Sequence, residues 1–235
     1  MAPQKENPRL FKIALEGLRV GLNDMEQFIR AGESALQSEF ESWGEWYDQQ
    51  TQGFSEEEKQ DFIDAYYDDV ALVCDMAPQH FRRACVIMLI GYWETTAANL
   101  VRTLRKLELL QPPPDKCREP LYHWKSKACL LDYGGFDKSV FGQAWNFCEE
   151  VNIIRDIIAH SNSRIPYLHP DEKYYKESER AKLFIEGTPD IYLSNSYIIE
   201  LDSGFSETVN RAVVESIQCL MAEAQRIHRQ KSKTS

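Results

Sequence analysis

The sequence predicts a mainly α protein: a helical bundle with a long N-terminal helical region and a small β-hairpin inserted before the last helix. Three observations carry that prediction. Apolar residues recur at three- and four-residue intervals along most of the chain, the period of a helix with one buried face. Ser55-Glu56-Glu57-Glu58 places a hydroxyl at an N-cap, a glutamate three residues on and acids through the first turn, which marks a helix start. The strand period, apolar alternating with polar, is confined to a short stretch around Gly187-Thr188-Pro189-Asp190.

Residues 1–7 lack a periodic pattern and are expected to fray. From Pro8 a long helix is expected. Phe11, Leu15, Leu18, Leu22, Met25 and Ile29 alternate four and three apart, and Leu36 continues the line past Gly32. Such a seam wants a partner helix, from the same chain or, in the sharper reading, from another. Trp43, Trp46 and Tyr47 follow, and Gly53 breaks the pattern. The Ser55 box opens a second helix, to about residue 75. Pro78 suits the first turn of a third, which runs to about residue 110 and is stopped by Gln111-Pro112-Pro113-Pro114. Residues 120–131 hold a short helix and Tyr133-Gly134-Gly135 a turn.

The next helix has Phe141, Ala144, Trp145, Cys148, Val151, Ile154 and Ile158 on one stripe and ends near His160. Residues 161–181, polar and containing Pro166 and Pro170, read as a surface loop. Residues 182–186 and 191–193 alternate around the Gly187 turn and 197–201 continue the pattern, giving a hairpin of two or three short strands. A last helix, from Phe205 to about Ile227, buries Phe205, Val209, Val213, Ile217, Leu220, Ala224 and Ile227. A basic tail follows, with Arg226, Arg229, Lys231 and Lys233, read as a solubilising end or a contact for RNA backbone. There is no internal repeat and no low-complexity segment.

The chain has 235 residues, 43% of them hydrophobic, enough for one substantial core or one domain with an appendage. Its net charge of −10 is concentrated. Residues 39–75 hold 12 acidic side chains and one basic, Lys59, a net −11; the other 26 basic and 25 acidic residues leave +1. The acidity is therefore regional, most simply a solvated helix face, and it does not exclude a nucleic-acid site elsewhere. Nor does a basic footprint argue for one.

The longest apolar run, residues 84–93, is bounded by Arg83 and Glu94 and is too short for a bilayer. The opening MAPQKENPR has no apolar signal-peptide core. Cys74, Cys85, Cys117, Cys129, Cys148 and Cys219 form no CxxC pair and no metal-ligand spacing, so reduced thiols in a cytoplasmic protein are expected. Motifs for nucleotide binding, zinc proteolysis and serine hydrolysis are missing. The histidines, His80, His123, His160, His169 and His228, are scattered, and neither a metal nor a cofactor is expected.

Two charges interrupt apolar stripes. Arg155 lies four residues after Val151 and seven after Cys148, and Glu94 sits on a line with Ile87, Ile90, Ala98 and Val101. A buried charge is costly unless paired, so Glu94 and Arg155 are expected to meet across two adjacent core helices. Trp93 and Trp145, on the same helices, read as core packing. His160 comes five residues after Arg155, just before the helix-ending Ser161-Asn162-Ser163. A fixed cation and a side chain that titrates near neutrality suit acid–base chemistry. The structural alternative is an ion pair joining two helices, with His160 stabilised by the helix dipole.

Arg155-Asp156-Ile157-Ile158-Ala159-His160 resembles the R-polar-x3-H motif of the HEPN superfamily, all-α domains of which many are prokaryotic metal-independent endoribonucleases. Phe81-Arg82-Arg83-Ala84-Cys85-Val86-Ile87-Met88-Leu89-Ile90-Gly91-Tyr92-Trp93-Glu94 resembles the earlier HEPN helix, which often carries an acidic residue. The resemblance covers residues 55–228 in layout and these two helices in detail. It implies an N-terminal helical extension, 1–54, and a HEPN-like domain, 55–235, with the loop and hairpin of 161–203 as an insertion. It also implies a homodimer with two Arg155 and two His160 in one cleft. His160 would act as base or acid and Arg155 would grip a phosphate oxygen. Glu94 would hold Arg155, and Asp156 would orient His160 or cap the loop. Two functions follow as expectations: an endoribonuclease of the toxin or phage-defence kind, leaving 2′,3′-cyclic phosphates, or a non-catalytic HEPN module that binds RNA or a protein partner. RNA as substrate or ligand, an antitoxin or other protein as partner, and no membrane are the corresponding partner expectations.

Overall fold

The structure, a computed structural model, describes residues 8–110, 120–165 and 172–234. It is mainly helical, with a two-stranded antiparallel hairpin before the last helix. The expected N-terminal seam is helix α1, Pro8–Gln50, which runs unbroken through Gly32. Gly32 is needed there because a methyl group on it would fall inside the Phe81 ring. Gly53, at φ +90°, ends the helix in a backbone shape that L residues avoid. The box then closes as expected on α2, Glu56–Ala65. The Glu58 N–H donates to Ser55 Oγ at 3.3 Å, and the Ser55 N–H donates to Glu58 Oε2 at 2.7 Å. Residues 1–7 and the Gln111–Pro114 stop, read above from the sequence, lie outside the described residues.

The expected break between a second and a third helix is absent. After Tyr66 the chain forms α3, Tyr67–Ala71, then one wide π-type turn, Leu72–Met76, and continues as α4, Ala77–Lys106. The Ala77 N–H reaches back five residues to the Leu72 carbonyl. Pro78 has no N–H to give and its ring crowds the carbonyl four residues back; a wide turn relieves both problems without ending the helix.

Further along come α5, His123–Gly134, a short 3₁₀ turn at Lys138–Phe141, and α6, Gln143–His160. The expected loop of 161–181 and the strand at 182–186 are corrected by α7, Glu172–Glu186. Ser178, Ala181 and Ile185 are buried at three- and four-residue spacing while Leu183 is 69% exposed, which is helical and not alternating burial. Pro166 and Pro170 lie outside the described residues.

The hairpin is β1, Ile191–Leu193, against β2, Ile199–Leu201, with Ile191 opposite Leu201 and Leu193 opposite Ile199. A third segment does join it, but from the exit of α6: Arg164 bridges Ile198, and the Ile199 N–H donates to the Ser163 carbonyl at 2.8 Å. Asn162 and Ser163, at φ 50° and 63°, bend the chain into that position. The last helix, α8, Ser203–Thr234, is longer than expected. Its basic end is helical, and Lys231 Nζ donates to the Leu109 carbonyl at 2.5 Å.

The chain gathers into two compact units, one of Met1–Met25, Ile87–Asp156 and Thr208–Ser235, the other of Glu26–Val86 and Ile157–Glu207. In the first, Trp93 and Trp145 are fully buried with ring centroids 4.6 Å apart, and Leu104, Leu130, Cys148, Val151, Ile154 and Ile217 are buried in the same unit. The Trp93 indole N–H donates to Ser216 Oγ at 3.0 Å, which removes the penalty of burying it. In the second, Ile29, Cys85, Val86, Ile165, Ile199, Leu201 and Phe205 are buried. Arg82 of α4 pairs with Glu33 of α1 at 3.0 Å and also donates to the Leu201 carbonyl at 3.0 Å.

Two further readings are sharpened. Cys129 is disulfide-bonded, which corrects the expectation of reduced thiols throughout. Which thiols fold to within bridging distance is a tertiary fact that their spacing along the chain does not display. Among the described residues one stretch, Tyr67–Lys106, is long and apolar enough to cross a bilayer. More than half of its most apolar window is buried against protein, which accounts for that apolarity without a membrane.

Candidate functional site

Two of the apolar stripes read from the sequence present charges to each other within the first unit. Glu94 follows the fully buried Trp93 on α4, and Arg155 follows the fully buried Ile154 on α6. Arg155 Nη2 donates to Glu94 Oε2 at 2.6 Å, so the expected pair is present. The same nitrogen donates to Asn152 Oδ1, one turn earlier on α6, at 2.5 Å. Arg155 Nε lies 3.3 Å from Asp156 Oδ1 but makes no hydrogen bond, because the N–H is not aimed at that oxygen. Nη1 has no hydrogen-bond partner among the described residues. The guanidinium is therefore fixed at one end and open at the other.

The second oxygen of Glu94 is taken by a residue that sequence reasoning passed over. His123, the first residue of α5, places Nδ1 2.9 Å from Glu94 Oε1. Its ring stacks on Trp93, centroids 5.4 Å apart and planes 29° from parallel. The side chains of Glu94, Arg155 and His123 are 21%, 22% and 17% exposed, so the cluster is half-buried and still reached by solvent. Burial pushes the Glu94 carboxyl up, but the His123 hydrogen bond and the Arg155 charge outweigh it, and the net shift is downward. Glu94 is thus ionised near neutrality and can only accept, so His123 carries a proton on Nδ1.

The remaining predicted residues fall as follows. Asp156, half exposed, lies beside Arg155. His160 is the final residue of α6 and is exposed, as its position after the last apolar residues led us to expect. Asn152, three residues before Arg155 on the same helix, was legible as a neighbour by spacing alone. His123 was not: nothing in its own segment marks it, and only the packing of α5 beside Trp93 brings it to Glu94. Among the described residues no group of three His, Cys, Asp or Glu side chains could hold a metal ion. A half-open guanidinium beside an imidazole and a carboxylate is equipped to bind an oxyanion and move a proton. Comparison of the chain with protein families, with characterised proteins and with solved structures finds no match.

Proposed function

We propose that this chain is a metal-independent endoribonuclease of the HEPN kind, a toxin or defence nuclease acting in the cytoplasm as a homodimer. The observation that supports it most is the state of Arg155. Glu94 and Asn152 hold one end of its guanidinium while Nη1 stays open, and the same helix ends in an exposed histidine, His160. Cleavage without a metal needs a cation on the phosphate, a base for the 2′-hydroxyl and an acid for the departing 5′-oxygen. Arg155 supplies the first through the N–H groups of its open Nη1. His160 supplies one of the proton transfers, and a second copy of the chain would bring another His160. The products are a 2′,3′-cyclic phosphate and a 5′-hydroxyl.

The test compares purified wild type with His160→Ala on mixed RNA in the presence of a chelator. Wild-type cleavage that falls by about 10²–10⁴-fold in the variant, at equal melting temperature, supports the reading. Equal cleavage by both removes His160 from the chemistry. A second reading, a non-catalytic module that docks a protein such as an antitoxin, draws on the acidic stretch 39–75, where Phe54, Tyr66 and Tyr67 are exposed. Intact RNA with both proteins, together with a stable complex with a basic partner, would favour it.

A further inference from the structure

We infer that His123 is the base of the site: its Nε2 takes the proton of the attacking 2′-hydroxyl, next to the phosphate held by Arg155. This rests on the endoribonuclease reading and changes how its second proton transfer is supplied, from a partner's histidine to a residue of the same chain.

The geometry carries the inference. One carboxylate binds both groups, Glu94 Oε1 on His123 Nδ1 at 2.9 Å and Glu94 Oε2 on Arg155 Nη2 at 2.6 Å. The imidazole and the guanidinium are therefore neighbours across a single side chain. The ionised carboxylate holds a proton on Nδ1, so Nε2 is the ring nitrogen left to accept one. That nitrogen has no hydrogen-bond partner among the described residues. The ring cannot swing freely, because it lies on Trp93, itself fully buried and anchored to Ser216. Holding a carboxylate needs only an N–H, which an asparagine or glutamine would give; what imidazole adds is the second nitrogen.

The step balances without a co-reactant. The 2′-oxygen forms a bond to phosphorus as its proton passes to His123 Nε2. The bond from phosphorus to the 5′-oxygen breaks, and that oxygen takes a proton from the acid, which the proposed homodimer supplies as a His160. Exchange with water then returns one proton to His160 and removes one from His123. Nothing is oxidised or reduced.

The experiment uses the full chain with an RNA oligonucleotide and a chelator, in wild type, His123→Asn, His123→Gln and His123→Ala, the last with and without added imidazole. Asparagine and glutamine keep a donor for Glu94 and lack the base, so both are expected to lose about 10²–10⁴-fold in cleavage while melting like wild type. Added imidazole is expected to restore cleavage to His123→Ala, an effect a purely structural histidine would not show. If either amide variant cleaves within about threefold of wild type, His123 is not the base and the endoribonuclease reading stands without it. A variant that melts early is decided by the other amide and by the imidazole arm. Wild type that leaves RNA intact overturns both the reading and this inference.

Discussion

Glu94 and Arg155, 61 residues apart in the chain, meet at 2.6 Å from two helices whose stripes are otherwise apolar beside them at Trp93 and Ile154. Each residue alone is an error in its own stripe; together they form a pair whose partners are specified. Glu94→Ala would leave the Arg155 guanidinium and the His123 N–H without their acceptor. With about a fifth of each side chain in solvent, the loss should be about 2–4 kcal/mol, below the full cost of breaking a deeply buried pair. Urea denaturation measures it. The double variant Glu94→Leu with Arg155→Leu should recover much of that loss, since apolar residues often replace buried pairs without penalty. A double variant no more stable than Glu94→Ala would show that the pair is not the reason for the cost.

Acid should weaken the same contact. The Glu94 carboxyl sits below its ordinary value of 4.5 in the folded chain, through His123 and Arg155 working against burial. A group whose folded pKa is lowered contributes stability above its unfolded pKa, and that contribution is lost as pH falls through the folded one. The stability gap between wild type and Glu94→Gln should therefore be full at pH 7 and shrink below about pH 4.5. Denaturant titrations at pH 7, 5, 4 and 3 give the gap directly. A gap that is constant over that range would mean the carboxyl is not stabilised by these partners.

The parts of the fold that were legible in the sequence are those with many periods to read. Helix α1 spans 43 residues and α8 spans 32, long enough for a helical stripe to be unmistakable. The Glu94–Arg155 pair was legible because a charge on an apolar stripe needs a partner, and the two stripes offered one each. Residues 182–186 failed for the opposite reason. Five residues fit a strand period and a helical one equally, and only the burial of Ser178, Ala181 and Ile185 decides for α7. The wide turn before Pro78 was missed because proline shows where a helix is disturbed, not whether it ends. His123 and the Cys129 disulfide depend on which segments pack together, and no local pattern encodes that.

Thiol chemistry gives a test of the cysteine assignments. Burial pushes the Cys148 thiol up to about 12 and the Cys85 thiol up to about 11, whereas Cys74 and Cys219 are exposed. Thiolates are the reactive form, so an aromatic disulfide reagent at pH 8 should label Cys74 and Cys219 in the native chain and leave Cys85 and Cys148 untouched. Denaturant without reductant should add those two, and Cys129 should react only after reduction. Peptide mapping reads each site. Native labelling of Cys148 at the rate of Cys74 would contradict its burial, and labelling of Cys129 without reductant would contradict the disulfide.

The hairpin offers the last test, at a contact that shares nothing with the Glu94 cluster. Strand β2 turns its outer edge away from β1, and an open edge is a template for unwanted pairing. Here every outward backbone group of its terminal residues is taken. The Ile199 N–H goes to Ser163, the Ile199 carbonyl accepts from Arg83 Nη2 at 2.8 Å, and Leu201 is bound at both ends by one side chain. Gln79 Nε2 donates to the Leu201 carbonyl at 3.1 Å, and the Leu201 N–H donates to Gln79 Oε1 at 3.0 Å, both buried. Gln79→Leu keeps the volume and removes both bonds. The carbonyl retains Arg82, but the Leu201 N–H is left unpaired, which should cost about 1–3 kcal/mol. Gln79→Glu should cost more than Gln79→Leu, because its carboxylate still accepts from the N–H but sets a negative charge against the carbonyl. Two measurements check the argument. Denaturation gives the loss in stability, and hydrogen exchange at the Leu201 amide should quicken in Gln79→Leu more than at the Val213 amide of α8. If Leu201 exchange keeps its wild-type rate in Gln79→Leu, the glutamine is not what seals this edge.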